Sequence, residues 1–363
     1  MKEGILRKYA TEKGYVMGGI PISRAREIYR GEKVEKLSAN ENQYGVSTLA
    51  KEAGRRSMEM GNFYPDMTSF HVADKLCEKY GVASDQILLT HGGTAALSML
   101  GDVLLEKGDE VVMPVPTYQA YTNMIQKSGA VAVEVPLENN YDLDFEVLLS
   151  AVTPKTKLII LCNPNNPTGV YYGKERAMDL LRRLPEHVVL LVDEAYIHFT
   201  GIEDASMADQ IREDNNLVVV QTFSKIYGMA GLRLGYVMAN SALISALKTI
   251  WDPCSPSVAA LAAGEAALDD DAFVNQTLKR VSQGRSYITE ELEKLGVYVY
   301  PSSTNFIAFD CGLPAGKLTE QLLAEAGVLI RGTFDKPRVT IGTEEQNHKF
   351  VAAMKKVLEE SKK

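Results

Sequence analysis

Between Ile87 and Ala239 short runs of strand-forming residues recur, in order ILLT, EVVMPVP, AVAVEVP, KLIILCNP, VVLLVDEAY, LVVVQTFS and RLGYVMA. A strand with one wet face alternates apolar and polar positions, whereas several of these runs are apolar nearly throughout. They predict strands buried on both faces of a mostly parallel sheet. Between most of them apolar residues return at helical spacing, in TAALSMLGDVLLEKGD, YQAYTNMIQKSGA and KERAMDLLRRLPEH, and each stretch closes with Gly or Pro. The predicted order is β-α-β with right-handed crossovers, an α/β architecture.

After about Ala239 the texture changes. The Ala-rich stretch SPSVAALAAGEAALDDDAFVNQTLKRVSQGRSYITEELEKLG predicts long helices, followed by short strands VYVYP, NFIAFD and RVTIG and a final amphipathic helix EEQNHKFVAAMKKVLEESKK. This reads as a smaller α+β domain made from the C-terminal third and joined by the segment before Lys36. No internal repeat, low-complexity linker or added DNA-binding module is visible.

Composition narrows the partners. The chain has 363 residues, 45% hydrophobic and 24% charged, and its 39 basic against 47 acidic residues give a formal charge of −8. That balance disfavours nucleic acid or an anionic membrane as the main partner. Cys77, Cys162, Cys254 and Cys311 are scattered, and the five histidines show no ligand spacing, so reduced thiols and no protein-bound metal are expected. The polar start MKEGILRKYATEKG does not read as a signal peptide, and no apolar run reaches the ~18 residues that span a bilayer. A cytoplasmic location is the expectation.

In an open α/β sheet, ligands bind beyond the carboxyl ends of the strands. The residues there are unusually polar. Lys225 follows LVVVQTFS. It either snorkels to the surface or loses hydration, with a lowered pKa that frees its amine for nucleophilic attack. His91-Gly92-Gly93-Thr94 opens a helix, as a turn and cap or as a phosphate cradle. Asp193-Glu194 follows VVLLV. The same pattern occurs in the magnesium-binding strand of P-loop ATPases, but no G-x-x-x-x-G-K-[ST] loop is present. CNPNNPTG, from Cys162 to Gly169, carries more amides than a tight turn needs, and Tyr118 offers either an aromatic plate or a core ring. Gathered at one sheet edge, these parts meet the demands of pyridoxal 5′-phosphate (PLP): a lysine for its carbonyl, an acid for its ring nitrogen, donors for its phenolic oxygen and a phosphate cradle.

The motifs NPNNPTG, VDEAY, TFSK followed by GLRLGY, and PRVTIGT, in this order and spacing, resemble the fold-type I PLP enzymes. Within them the chain is most similar to the class I/II aminotransferases of the histidinol-phosphate aminotransferase branch, from Leu37 to Thr343, and YPD at Tyr64 adds a branch feature. The resemblance implies the PLP-dependent transferase fold, aspartate aminotransferase-like. Its large PLP-binding domain, 37–245, would hold a mostly parallel seven-stranded sheet, and residues 1–36 and 246–363 would form the smaller α+β domain. It implies Lys225 as Schiff-base lysine and general base, Asp193 at the pyridine nitrogen, Tyr196 and Asn166 at the phenolic oxygen, and Tyr118 stacked on the ring. Gly93, Thr94, Thr222, Ser224 and Arg233 would bind the phosphate, with Tyr64 reaching it from the other subunit of a homodimer. Arg338 would clamp the substrate carboxylate, a task suited to a planar two-donor fork.

The expected activity is transfer of an amino group between a small-molecule amino donor and a 2-oxo acid. Decarboxylases and oxidative deaminases share every cofactor residue, so they stand as the alternative; PLP-binding transcription regulators would need a DNA-binding domain for which the roughly 36 leading residues are too few. Two segments depart from the branch. GYVMGGIPISRAREIYRG only loosely follows its usual entry, and IWDPCSPS replaces its aromatic-Asn-x-Ser. Trp251 and Asp252 there would suit a substrate with a polar or cationic end, or else Asp252 caps the next helix and Trp251 packs at the domain junction. Arg331 and Arg338 remain anion partners. The first alternative predicts that aromatic or basic amino acids react faster than histidinol phosphate.

Overall fold

The computed structural model describes residues 19–31, 33–65 and 71–361. Twelve strands are present among them: β1 Glu35–Lys36, β2 Ile87–Thr90, β3 Glu110–Val115, β4 Val131–Pro136, β5 Thr156–Cys162, β6 Val189–Asp193, β7 Leu217–Thr222, β8 Gly235–Met238, β9 Tyr298–Val299, β10 Phe306–Asp310, β11 Val328–Leu329 and β12 Arg338–Thr340. Seven form the central sheet in the order β2-β8-β7-β6-β5-β3-β4. Only β8 runs against its neighbours; the other pairs are parallel.

The unbroken apolar runs are explained by the two layers. Ile159 and Leu161 of β5 pack in one hydrophobic cluster, and Leu158, Ile160 and Cys162 pack in the other, on the opposite face. β7 divides in the same way, with Leu217 and Val219 on one side and Val218 and Val220 on the other. Side chains alternate between faces at every step, so a strand covered twice needs an apolar residue at every position. β4 is one of the two edge strands, and its Val131 is 52% exposed.

Beyond the sheet the chain forms the helices Val258–Leu268 and Asp271–Lys294, then the antiparallel sheet β12-β10-β9. The closing helix, Glu344–Glu360, begins at a capping box in which Thr343 accepts from the Gln346 N–H while the Gln346 side chain accepts from the Thr343 N–H. β1 pairs in parallel with β11, Glu35 opposite Val328. The early segment is thereby stitched to the C-terminal third rather than to the central sheet.

The consequence for chemistry is positional. β5, β6 and β7 are adjacent and parallel, so their carboxyl ends, at Cys162, Asp193 and Thr222, lie side by side.

Candidate active site

A cavity of about 460 Å³ opens at these strand ends. Lys225 stands three residues beyond the end of β7, and its Nζ lies 3.4 Å from the Ala39 carbonyl oxygen and 5.3 Å from the centre of the Tyr196 ring. By surface area the residue is only half-buried, because its amine faces the cavity, yet protein surrounds it on every other side. That enclosure governs its charge: desolvation pulls the amine down to about 8, Arg338 and Arg233 push the same way, and Tyr118 and Glu41 partly oppose them.

Asp193 ends β6 and is 4% exposed. Its Oδ2 accepts from the Tyr121 hydroxyl at 2.7 Å and its Oδ1 from the Ala195 N–H at 3.0 Å. Burial raises its pKa against the pull of those two donors and of Lys225. The neighbouring Glu194 points into the protein instead, taking hydrogen bonds from Ser206, Met207 N–H and Gln221, and burial holds its carboxyl up at about 7. Asp193 forms no ion pair among the described residues, so a buried carboxylate faces the cavity without a cation of its own.

The other end of the cavity is built for an anion. The helix Gly93–Leu104 starts here with no side chain capping it, so its first N–H groups remain available beside Thr94. Arg233, at φ 57°, turns its guanidinium toward Ser224 Oγ, 3.5 Å away, and Thr222 donates to the same oxygen at 2.8 Å. Gly92 is favoured here by its backbone, at φ 96°, where an L side chain is strained, and a Cβ there would also displace Arg233 Nη2, which lies 2.4 Å from its position. Tyr118 forms part of the wall between the two ends, 3.4 Å from Thr94 Oγ1 through its hydroxyl.

Across from Lys225, Arg338 of β12 is 4% exposed and donates through Nη1 to Asn166 Oδ1 and through Nη2 to the Ser38 carbonyl at 2.9 Å. Its Nε is buried without an acceptor, and burial lowers its pKa to about 10. Arg331 exchanges backbone hydrogen bonds with Arg338, and its Nε also lacks an acceptor. The backbone at Gly19 closes on it so tightly that a Cβ there would meet Arg331 Nη1 at 2.4 Å. Neither arginine has a carboxylate partner among the described residues. Phe334 lines the cavity above them, its ring centre 5.6 Å from the Arg338 guanidinium.

The cavity therefore gathers Lys225, Asp193, Tyr196, Asn166, Tyr118, Gly93, Thr94, Thr222, Ser224, Arg233, Arg331 and Arg338 from distant parts of the sequence. Trp251 and Asp252 are not brought to it. Asp252 Oδ1 accepts from the Cys254 N–H at 2.9 Å, in a turn that consumes the carboxylate locally, and Trp251 donates from its indole to the Leu89 carbonyl at 3.0 Å while packing on the sheet. The expectation that they read the substrate is corrected accordingly. Tyr64 is 84% exposed and does not line the cavity of its own chain; Asp66, the last residue of the YPD motif, lies outside the described residues. The sequence reading missed Asn40, Tyr121, Ser38 and Phe334. Tyr121 had a signal, since it follows Tyr118 by three residues into a helix, Ala120–Ser128. Asn40 had none.

The residues present fit PLP on structural grounds: a buried carboxylate lacking a cation, an uncapped helix start beside an arginine, and an amine of lowered pKa between them. Among the described residues no group of His, Cys, Asp or Glu is placed to hold a metal ion, and no helix is long and apolar enough to cross a membrane.

Comparison with known proteins agrees. The family model for aminotransferase class I and II matches residues 32–354. Histidinol-phosphate aminotransferase 2 of Carboxydothermus hydrogenoformans is 35% identical, over 96% of this chain and 97% of its own length. The histidinol-phosphate aminotransferase of Symbiobacterium thermophilum is 38% identical, over 96% and 97%. Among solved structures, histidinol-phosphate aminotransferase from Sinorhizobium meliloti in complex with pyridoxal 5′-phosphate superposes with a TM-score of 0.90 at 25% identity, covering 99% of this chain and 98% of that one.

Proposed function

We propose, from the premise that this chain belongs to the class I and II aminotransferases and is a PLP-dependent transaminase of the histidinol-phosphate aminotransferase-like branch, the following assignment of its residues and substrate. The relatives named above are all aminotransferases and give the decarboxylase and deaminase alternative no support. PLP, when bound, supplies a carbonyl that condenses with an amine and a protonated ring that draws off the electron pair left when the substrate carbon loses its proton. Lys225 would hold the cofactor at its carbonyl carbon, and its Nζ would take the substrate proton. Its pKa near 8 suits it to both tasks near neutral pH. Asp193 keeps the ring nitrogen protonated, and the desolvation that costs the lone carboxylate becomes attraction once a cation sits beside it. Tyr196 and Asn166 donate to the phenolic oxygen, and Tyr118 packs on the ring. The Gly93 and Thr94 N–H groups, Thr222, Ser224 and Arg233 hold the phosphate.

The observation that carries the substrate reading is a pair of guanidiniums without carboxylates, Arg338 buried and Arg331 half-buried, each with an Nε that lacks an acceptor. Arg338 receives the anionic group next to the reacting carbon, and Arg331 a further negative charge. A phosphate dianion, whose two charges meet both arginines in place of a carboxylate, or a second carboxylate supplies it, which fits histidinol phosphate as amino donor and a dicarboxylic 2-oxo acid as acceptor. An extra charge-assisted hydrogen bond is worth ~1.5–3 kcal/mol, so histidinol phosphate and glutamate should react roughly 10- to 100-fold faster than lysine or tyrosine in half-reactions followed by absorbance. Lysine or tyrosine reacting fastest would overturn the reading.

The domain division at residues 37–245 against 1–36 with 246–363 is part of the proposal, supported by the β1–β11 pairing. So is a homodimer. Leu49, Met58, Met60, Phe63 and Tyr64 are all exposed within one short stretch, an apolar surface that suits a second copy of the chain. Tyr64 would then complete the other subunit's phosphate site. Tyr64→Phe should weaken PLP binding roughly 10- to 100-fold, and unchanged affinity, or a fully active monomer in light scattering, counts against it. The four free thiols support a reducing, cytoplasmic setting.

A further inference from the structure

Asn40 lies in the loop after β1 at φ 55°, in the left-handed region, and is 1% exposed. Such a conformation in a buried non-glycine residue is held by its partners. Its N–H donates to Thr340 Oγ1 at 2.9 Å, its carbonyl accepts from Asn305 Nδ2 at 3.1 Å, and its Oδ1 accepts from the Thr340 hydroxyl at 3.2 Å. These bonds settle the orientation of the amide: oxygen toward Thr340, nitrogen away. The nitrogen, Nδ2, donates to the Tyr196 hydroxyl oxygen at 2.9 Å.

That bond has a direction, and the direction matters. An amide N–H occupies one lone pair of the tyrosine oxygen and cannot accept, so it confines the hydroxyl hydrogen to the remaining directions. Tyr196 donates no hydrogen bond among the described residues, and it lines the cavity. Its ring is fixed edge-on against Phe306, with centres 5.1 Å apart, which leaves rotation of the hydroxyl as its main freedom. The charged and titratable groups around it are Arg338 from β12, Asp193 and Cys162 from the strand ends, and Lys225 over the ring face. None of these forms a hydrogen bond with the hydroxyl.

We propose that Asn40 is a positioning residue: its amide aims the Tyr196 hydrogen at the cofactor's phenolic oxygen, and Thr340 ties that aim to β12, the strand that carries Arg338. Arg338 and Thr340 lie two residues apart on this three-residue strand. A shift of β12 when Arg338 receives a substrate anion therefore moves the residue that orients Asn40. Anion capture at one side of the cavity is coupled through Thr340, Asn40 and Tyr196 to the hydrogen bond on the cofactor. This rests on the assignment of Tyr196 to the phenolic oxygen made above.

The test uses holoenzyme and reads the pH midpoint of its visible absorption change, a property of the cofactor in its site rather than of turnover. Glycine accepts φ 55° freely, so Asn40→Gly deletes the amide without straining the backbone. The Tyr196 donor favours the deprotonated phenolic oxygen. Losing its aim should raise the midpoint, by roughly 0.5–1 pH unit for Asn40→Gly and by more for Tyr196→Phe. In the Tyr196→Phe background, Asn40→Gly should add nothing, because the two act through one bond. Thr340→Val, close to isosteric, should give a smaller rise, and adding a dicarboxylate ligand should shift its midpoint less than it shifts that of the parent enzyme. A midpoint unmoved by Tyr196→Phe overturns the role of Tyr196 and this proposal with it. A midpoint moved by Tyr196→Phe but unmoved by Asn40→Gly and Thr340→Val, or an Asn40→Gly shift that persists without the Tyr196 hydroxyl, overturns this proposal alone. If Asn40→Gly does not fold, Thr340→Val alone and in the Tyr196→Phe background decides in the same way.

Discussion

Lys225→Ala should lower turnover by on the order of 10⁴-fold or more, because on the proposed assignment one substitution removes both the nucleophile for the cofactor and the base for the substrate proton. The protein should still bind PLP, more weakly, through the helix start at Gly93 and Arg233. Borohydride reduction of the parent holoenzyme followed by peptide mass analysis should find the pyridoxyl group on Lys225; an adduct on any other lysine sinks the assignment. The pH dependence follows from the amine's lowered pKa. With a value of about 8, roughly a tenth of the amine is neutral at pH 7, against on the order of 3 in 10,000 for an unperturbed lysine. Capture of PLP by apoprotein should therefore accelerate with pH to a midpoint near 8 rather than near 10.5. Stability has the opposite bookkeeping from a salt-bridged lysine. Between about 8 and 10.5 the unfolded chain holds a proton that the folded one has lost, so folding of the apoprotein should strengthen as pH rises through that window. Lys225→Met should remove that part of the dependence, as urea titrations at several pH values would show.

Arg338→Gln should cost on the order of 10²- to 10³-fold in kcat/KM for glutamate, the loss expected when a buried charge pair is broken by truncating one partner. The effect should fall on substrate capture, with PLP affinity held within about threefold, since the residue faces the substrate side of the cavity. Arg338→Lys should recover only part of the loss: it restores a charge but not the planar fork that grips two oxygens at once. Equal kcat/KM in parent and Arg338→Gln would remove Arg338 from the site. A loss matched by loss of PLP would make its role structural, through the hydrogen bond to Asn166.

Much of this molecule was legible in order along the chain, and the reason is that the determining interactions are local. The seven central strands could be read because a strand covered on both faces must be apolar at successive positions, as Leu158 to Cys162 are. The candidate cofactor residues could be read because each stands at or just past the carboxyl end of such a strand: Asn166 after β5, Asp193 at the end of β6, Lys225 after β7. Tertiary structure decided the rest. Asp252-Pro253 satisfies the same short-range pattern whether its carboxylate faces a substrate or closes its own turn, and only the packing of Trp251 against the sheet selects the turn. Asn40 makes its bonds to Tyr196 and Thr340 across 156 and 300 positions. No spacing rule reaches so far, because the contact exists only after β1 has paired with β11 and β12 has been laid beside β10. The sequence by itself determined which side chains are candidates to hold the cofactor; which distant loops surround them, and so which hydrogen bonds they receive, was decided by the fold.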